Sequence, residues 1–383
     1  MIITNAARLS VRDPERFSWG ELRRFHNVEA VQTLISDIHK APRSDPNVKK
    51  QATQIRYCLQ QAREYFDSAK AVSLVTKPVL LYYSIMNLAL AEVLLKQDGN
   101  SSLDKAREQH RHHGLTFEFA DHGRQALPLA KHAGAIRACP AIRPVKWAPE
   151  RFGTFELWHR SCRPLPLVGM VTEFAPSNLS LSKFEVLSTP DEERPPLLPE
   201  LGITLLECFR LQPNLERFLY NDGIKSDLVR ATLALTVTSG DNRTAQFIIH
   251  PGNKGTIDEF LSNLKLHAEC VDRIEIQQHA DGSGAITLHD YHERFQTPPN
   301  LGGDTEMVYF APRQIALNEF GLLYVALFIC GNYARYYPDF WIRDVETHSP
   351  LALAIEQLIS DAEKTMALLT LSELSRVYYV PEA

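Results

Sequence analysis

The run PVLLYYSIMNLALAEVLL, Pro78–Leu95, constrains the fold of this chain more than any other stretch. It reads as a helix that is apolar on nearly every side, and such a helix must be buried on nearly every side. Several other helices are therefore needed to cover it. Its first half carries Tyr82, Tyr83, Ser84 and Asn87, and polar groups inside a core need partners there. Thr76-Lys77-Pro78 opens the helix, since proline in a first turn forfeits no intrahelical donor. Asp98-Gly99-Asn100 closes it. The run just reaches the length that spans a bilayer, but its tyrosines, asparagine and glutamate make a poor membrane segment.

The covering helices can be read from apolar spacing. Ala52, Ile55, Leu59, Ala62, Phe66 and Ala69 recur at helical intervals within 45–70. Trp19 to Ile38 gives a looser helical pattern that ends at Ala41-Pro42. Near the other end, Leu317–Tyr336 includes the apolar stretch FGLLYVALFIC, too short to cross a membrane. A last helix starts at Ser349-Pro350, with Leu351, Ile355, Leu358, Ala362, Met366 and Leu369 on one face. Between these ends, 138–200 is rich in proline and reads as a connecting stretch with short strands such as Thr154–His159.

The centre is a β unit. Val229, Ala231, Leu233, Leu235 and Val237 alternate with more polar residues, the pattern of a half-buried strand. Ser239-Gly240-Asp241-Asn242 turns it into Ala245–Ile249, an antiparallel hairpin. After a short helix at Ile257–Leu266, Arg273–Gln278 pairs with Ala285–His289, and Glu306–Phe310 adds a further strand. The fold class expected is α+β: a mainly helical bundle built from both ends of the chain, with a small antiparallel sheet domain inserted. The parts are 1–137 (helical), 138–200 (proline-rich connection), 201–312 (α/β insert) and 313–383 (helices packing on the first part).

The 383 residues carry a formal net charge of -5, which argues against a generally basic nucleic-acid binder. Local basic clusters survive that average at Arg23-Arg24, Lys49-Lys50 and 107–113. The six cysteines are scattered, with no CxxC pair, as in a reducing cytoplasm and without a zinc or disulfide framework. The start, MIITNAARLSVRDPERF, has charges where a signal peptide would be continuously apolar. We expect a cytoplasmic protein that does not enter a membrane.

Three tracts, Gln60–Leu95, His112–Leu115 (HHGL) and Asn332–Trp341 (NYARYYPDFW), resemble the YaaC-like family of bacterial proteins, and their order and spacing agree over most of the chain. That family has no settled activity, so the resemblance implies a fold more than a function. Beneath it, the pattern YYxxxNLAxAxxLL followed by a loop and His-Gly resembles the core of HEPN domains. These are small helical bundles, often homodimeric, found in RNases, toxins and defence systems. That second likeness implies a HEPN-reminiscent helical domain.

It also implies a place to look for chemistry. HEPN nucleases use an Arg and a His four to six residues apart, the His working as acid or base on a ribose hydroxyl and the Arg steadying phosphate charge. Arg107 precedes His112 and His113 at this spacing, and Arg343 precedes His348. Arg273–His279 and Arg243–His250 fall on predicted strands and turns. A chain with this many Arg and His supplies such spacings by chance, so the motif is weak. His110, His112 and His113 with Glu108 match no recognised metal-ligand spacing; no metal and no cofactor are expected. Gly252-Asn253-Lys254-Gly255-Thr256 reads either as an anion-binding turn or as a plain turn with a Thr N-cap. No GxSxG, HExxH or GxGxxG tract is present.

Arg335 ends an apolar helix and is followed by Tyr336, Tyr337, Phe340 and Trp341. It reads as a stacked structural cation or as an anion receptor with rigid walls. We expect it to share one partly buried polar network with the Tyr82 and Tyr83 hydroxyls and Asn87, and that network is the candidate binding site. The functional expectation is a cytoplasmic binding or interaction module, homo-oligomeric or with a protein partner, without a demonstrable catalytic motif. A strictly monomeric mass in light scattering at micromolar concentrations would count against the oligomer. The alternative is a metal-independent HEPN-type ribonuclease, acting on RNA as a toxin or defence effector. Composition and motifs do not decide whether the chain is an enzyme.

Overall fold

The computed structural model describes residues 3, 5–120, 127–145, 149–163, 168–174, 181–187, 197–237, 243–250, 273–280, 283–289, 307–310 and 317–381. A first strand, β1 (Asn5–Leu9), precedes four helices: α1 (Pro14–Leu22), α2 (Val28–His39), α3 (Pro46–Lys70) and α4 (Lys77–Lys96). Each of the first three has a side-chain cap at its start, from Asp13, Asn27 and Asp45 in turn. The looser pattern expected over Trp19–Ile38 is thus two helices. A 3-10 turn at Arg23–His26 ends the first, and Asn27 Oδ1 accepts from Ala30 N (3.2 Å) to start the second.

Helix α4 is the centre of the molecule. By length and composition it could cross a membrane, yet 78% of its most apolar window is buried inside the protein. Along one side lies α3, to which Ser84 is tied by a hydrogen bond from its hydroxyl to the Ala62 carbonyl (2.7 Å). A buried helix end needs partners for its last carbonyls. Gln51 Nε2 donates to Leu94 O (2.9 Å) and Gln97 O (2.8 Å), and His39 Nε2 reaches Leu95 O (2.9 Å).

The chain then runs through α5 (Arg107–His110), β2 (Leu115–Phe119), α6 (Leu129–Gly134), β3 (Ile136–Pro140), β4 (Ile142–Arg143), β5 (Glu150–Arg151), α7 (Thr154–Ser161), β6 (Val168–Phe174), β7 (Leu181–Leu187), β8 (Ile203–Thr204), α8 (Leu205–Arg210) and α9 (Glu216–Asn221). Strands β2, β3 and β8 form one small antiparallel sheet. Thr154–His159, expected as a strand, is instead the helix α7. Phe155, Trp158 and His159 fall three and four residues apart, and all three are buried. Helical spacing onto a core outweighed the local alternation.

The central strands β9 (Val229–Val237), β10 (Arg243–Ile249), β11 (Arg273–Gln278), β12 (Gly284–His289) and β13 (Met307–Phe310) form an antiparallel sheet in the order β11-β12-β10-β9-β13. The expected hairpin is present, with Ala245 opposite Leu235 and Phe247 opposite Leu233. The expected turn at Ser239–Asn242, the anion-turn candidate at 252–256 and the helix expected at Ile257–Leu266 lie outside the described residues.

Three helices and a strand complete the chain: α10 (Glu319–Tyr336), α11 (Pro338–Glu346), α12 (Pro350–Ser375) and β14 (Val377–Pro381). Helix α4 packs against α10 and α12, and α1 packs against α12. Strand β14 pairs in parallel with β1, from Asn5 opposite Val377 to Leu9 opposite Pro381. The two ends of the chain thus share one apolar core. Gly331 lets α10 approach α4 closely, since a Cβ there would stand 3.3 Å from Tyr82 Cβ and 3.5 Å from Val79 Cα. The architecture is α+β, largely helical, with small antiparallel sheets.

Candidate functional site

The loop His112-His113-Gly114 is held by the start of α7. Thr154 N donates to His112 O (2.9 Å), Phe155 N to His113 O (3.0 Å) and Ala141 N to Gly114 O (3.0 Å). Free donors of a helix N-terminus are thereby used on loop carbonyls, and each loop residue is fixed by its backbone. Gln109 Oε1 accepts from Gly153 N (2.6 Å) and completes the clamp. The crossing demands glycine on both sides. Gly114 and Gly153 have φ of +85° and +108°, and a Cβ on Gly153 would stand 2.3 Å from Gly114 Cα.

Held this way, His113 meets α4. Its Nδ1 lies 2.8 Å from the Tyr82 hydroxyl, and the two rings meet edge-on at 5.4 Å. Tyr82 also packs on Phe328 (5.4 Å) and Tyr324 (5.9 Å) of α10. Burial, then the neighbouring Tyr324 and Tyr83, hold the Tyr82 phenol well above its usual range, so its hydroxyl stays protonated. Burial, then Arg335 and His112, pull the half-buried His113 imidazole below its ordinary value and favour its neutral form near pH 7. The Tyr324 hydroxyl is buried beside them, next to Tyr82.

Arg335 approaches from the end of α10. Its Nη1 donates to the Tyr83 hydroxyl (3.3 Å), its guanidinium lies 5.1 Å from the Tyr336 ring centre, and its outer side is exposed. Tyr83 in turn stacks on Tyr65 of α3 (5.4 Å, 27°). An exposed guanidinium and a neutral imidazole therefore share a wall of aromatic rings built from both ends of the chain. Such a wall can take a planar or anionic group on the guanidinium, and a neutral imidazole can accept or deliver a proton.

The other sequence candidates fall differently. Asn87 spends its amide on the Tyr83 carbonyl of its own helix (2.8 Å) rather than on the Arg335 network. Arg107 is exposed on α5, and no hydrogen bond or ion pair among the described residues joins it to His113. His110 Nε2 reaches Ser101 O (3.2 Å) and His112 packs on Phe152 (4.8 Å), so the three histidines turn to three different neighbours. Among the described residues, no group of three His, Cys, Asp or Glu side chains is placed to hold a metal ion. Arg343 lies over the Phe340 ring (5.1 Å). His348 is exposed in a left-handed turn (φ 49°) just ahead of α12.

Two buried polar groupings escaped the sequence reading. In one, the Tyr333 hydroxyl donates to Asp344 Oδ2 (2.8 Å) and lies 3.3 Å from His132 Nε2. In the other, Lys96 of α4 sits 3.0 Å from Glu373 of α12 and 3.4 Å from Glu92. Arg163 follows α7 and pairs with Glu373 and, at 3.1 Å, with Glu319 of α10. Trp158 Nε1 donates to Glu92 Oε2 (3.0 Å). Burial pushes Glu92 up; burial also opposes ionisation of Glu373, but Lys96 and Arg163 overcome it and hold that carboxyl low. The signal was present in the sequence: Glu92 and Lys96 stand one turn apart in an otherwise apolar helix.

Residues 23–125 match the model of the YaaC-like protein family. That stretch contains α2, α3, α4 and the His112–Gly114 loop, including Tyr65, Tyr82, Tyr83 and His113, but not Arg335. No curated protein and no solved structure matches the chain.

Proposed function

We propose that this chain is a cytoplasmic binding module whose site is the wall formed by Arg335, Tyr83, Tyr82 and His113, and that it takes an anionic group there. One observation carries the reading: the exposed Arg335 guanidinium is steadied by the Tyr83 hydroxyl beside a half-buried imidazole fixed by Tyr82. A cation held in place by a neutral acceptor loses less freedom on binding than a loose surface arginine. The YaaC-like match is consistent with this and adds no activity of its own. Calorimetric titration with adenosine 5′-monophosphate tests it. Arg335→Met should weaken binding about tenfold or more, the range expected for a lost charged hydrogen bond. Equal affinity in wild type and variant would sink the assignment.

A second reading, a metal-independent ribonuclease, is favoured by the lowered His113 basicity beside Arg335. There His113 would take the proton of a ribose 2′-hydroxyl and Arg335 would steady the phosphate. Incubation with total cellular RNA in chelator separates the readings. The binding module leaves RNA intact. Cleavage lost in both His113→Ala and Arg335→Met, but kept in His348→Ala, would replace the first reading with the second.

A further inference from the structure

A cleft of about 680 Å³ lies between α1 with its 3-10 turn and α3, and shares no residue with the Arg335 wall. The two sides run antiparallel: Lys70 of α3 pairs with Glu15 at the start of α1 (2.8 Å), while Arg56 and Arg23 both act on His26 at the far end. The middle of the cleft is apolar, floored by Trp19, Leu22 and Leu59, all three buried. The cleft is therefore graded along its length. At the α1 start its carboxylates are engaged, Asp13 capping the Arg16 amide (2.9 Å) and Glu15 held by Lys70. At the other end Arg23, which has no ion-pair partner among the described residues, lines the cleft beside the half-buried His26. Glu64 is the one lining carboxylate with no partner among the described residues, and it neighbours Arg63, whose guanidinium lies over Trp19 (5.2 Å) in the middle of the cleft.

One feature marks the cleft as a place kept open. Gly20 lines it from within α1, and a Cβ there would meet nothing within 4 Å. Glycine inside a helix costs about 0.5–1 kcal/mol relative to alanine. No packing contact demands that cost here; what a side chain would occupy is the open space.

From this geometry we propose that the cleft binds an organic anion with an apolar body, its acid group on Arg23 and its body along Trp19, Leu22 and Leu59. The volume is that of a small-molecule site, and a guanidinium suits a carboxylate. The experiment titrates the full chain with 4-phenylbutyrate, and with acetate as the head group alone. Phenylbutyrate should bind at least tenfold more tightly than acetate. Arg23→Gln should lose that binding, whereas Arg335→Met should keep it, which separates this site from the Arg335 wall. Gly20→Leu should also lose it while the thermal midpoint holds or rises, since leucine favours the helix and fills only the cleft. Equal affinity for both probes, absence of binding in the wild type, or unchanged binding in Gly20→Leu would each overturn the proposal.

Discussion

At the scale of single residues, the pairing of Arg335 with His113 rests on electrostatics that can be measured. His113 is lowered first by burial and second by the Arg335 charge. Removing the charge should therefore raise the imidazole midpoint, yet leave it below the ordinary 6.5, because burial persists. Nuclear magnetic resonance titration of His113 in wild type and Arg335→Met reads this directly; an unmoved midpoint would mean that the two groups do not feel each other. The same variant should cost about 1 kcal/mol of stability or less, since the bond to Tyr83 is solvent-facing and single. Little of this pairing was legible in the sequence. A spacing rule links His113 to Arg107, a few residues upstream, whereas the arginine that acts on it lies on α10, 252 residues beyond the Tyr83 it contacts. Only folding of the two chain ends onto each other brings the pair together.

At the scale of elements, the signature loop owes its shape to α7. Because Gly153 has a left-handed backbone and lies against Gly114, Gly153→Ala must either part the two segments or strain both. We expect a loss of about 3 kcal/mol or more in urea unfolding, with His113 released from Tyr82 and the affinity for adenosine 5′-monophosphate lowered alongside. A variant as stable as wild type would show that the crossing does not set the loop. The contrast with what spacing could reveal is physical. Helices α3, α4 and α12 were legible because each repeats its apolar contacts over five turns or more, and β9 and β10 because a half-buried pleat alternates. Helix α7 was misread because eight residues carry only two turns of signal, and Thr154-Phe155-Glu156-Leu157 alternates by itself. The Gly114–Gly153 contact was invisible for a different reason: a lone glycine reports a need for space or a left-handed backbone, but not the segment that imposes it.

At the scale of the whole molecule, what joins the ends of the chain is partly ionic. Glu92 and Lys96 come from α4, Arg163 from the segment after α7, Glu319 from the first turn of α10 and Glu373 from α12. Trp158, Cys162 and Tyr378 complete the surroundings. Taking such charges out of water is costly unless they balance. Two cations face three carboxylates, so a neutral cluster requires one proton, and burial directs it to Glu92, pushed up to about 7 from an ordinary 4.5. A carboxyl that binds its proton more tightly folded than unfolded contributes its stabilisation in full below about 4.5 and loses it as the pH rises through about 7. Glu373 works the other way, but its held-down carboxyl loses its contribution only in strong acid. Asp361, which burial raises to about 6, adds a slope of the same sign as Glu92, so the informative quantity is a difference between proteins. Glu92→Gln keeps an oxygen for the Trp158 donor and abolishes the titration. Relative to that variant, wild type should lose on the order of 2–3 kcal/mol of unfolding free energy between pH 5 and pH 8, measured by urea denaturation at each pH. Parallel profiles for the two proteins would mean that Glu92 is ionised throughout, and that the cluster carries a net negative charge across the junction of the two chain ends.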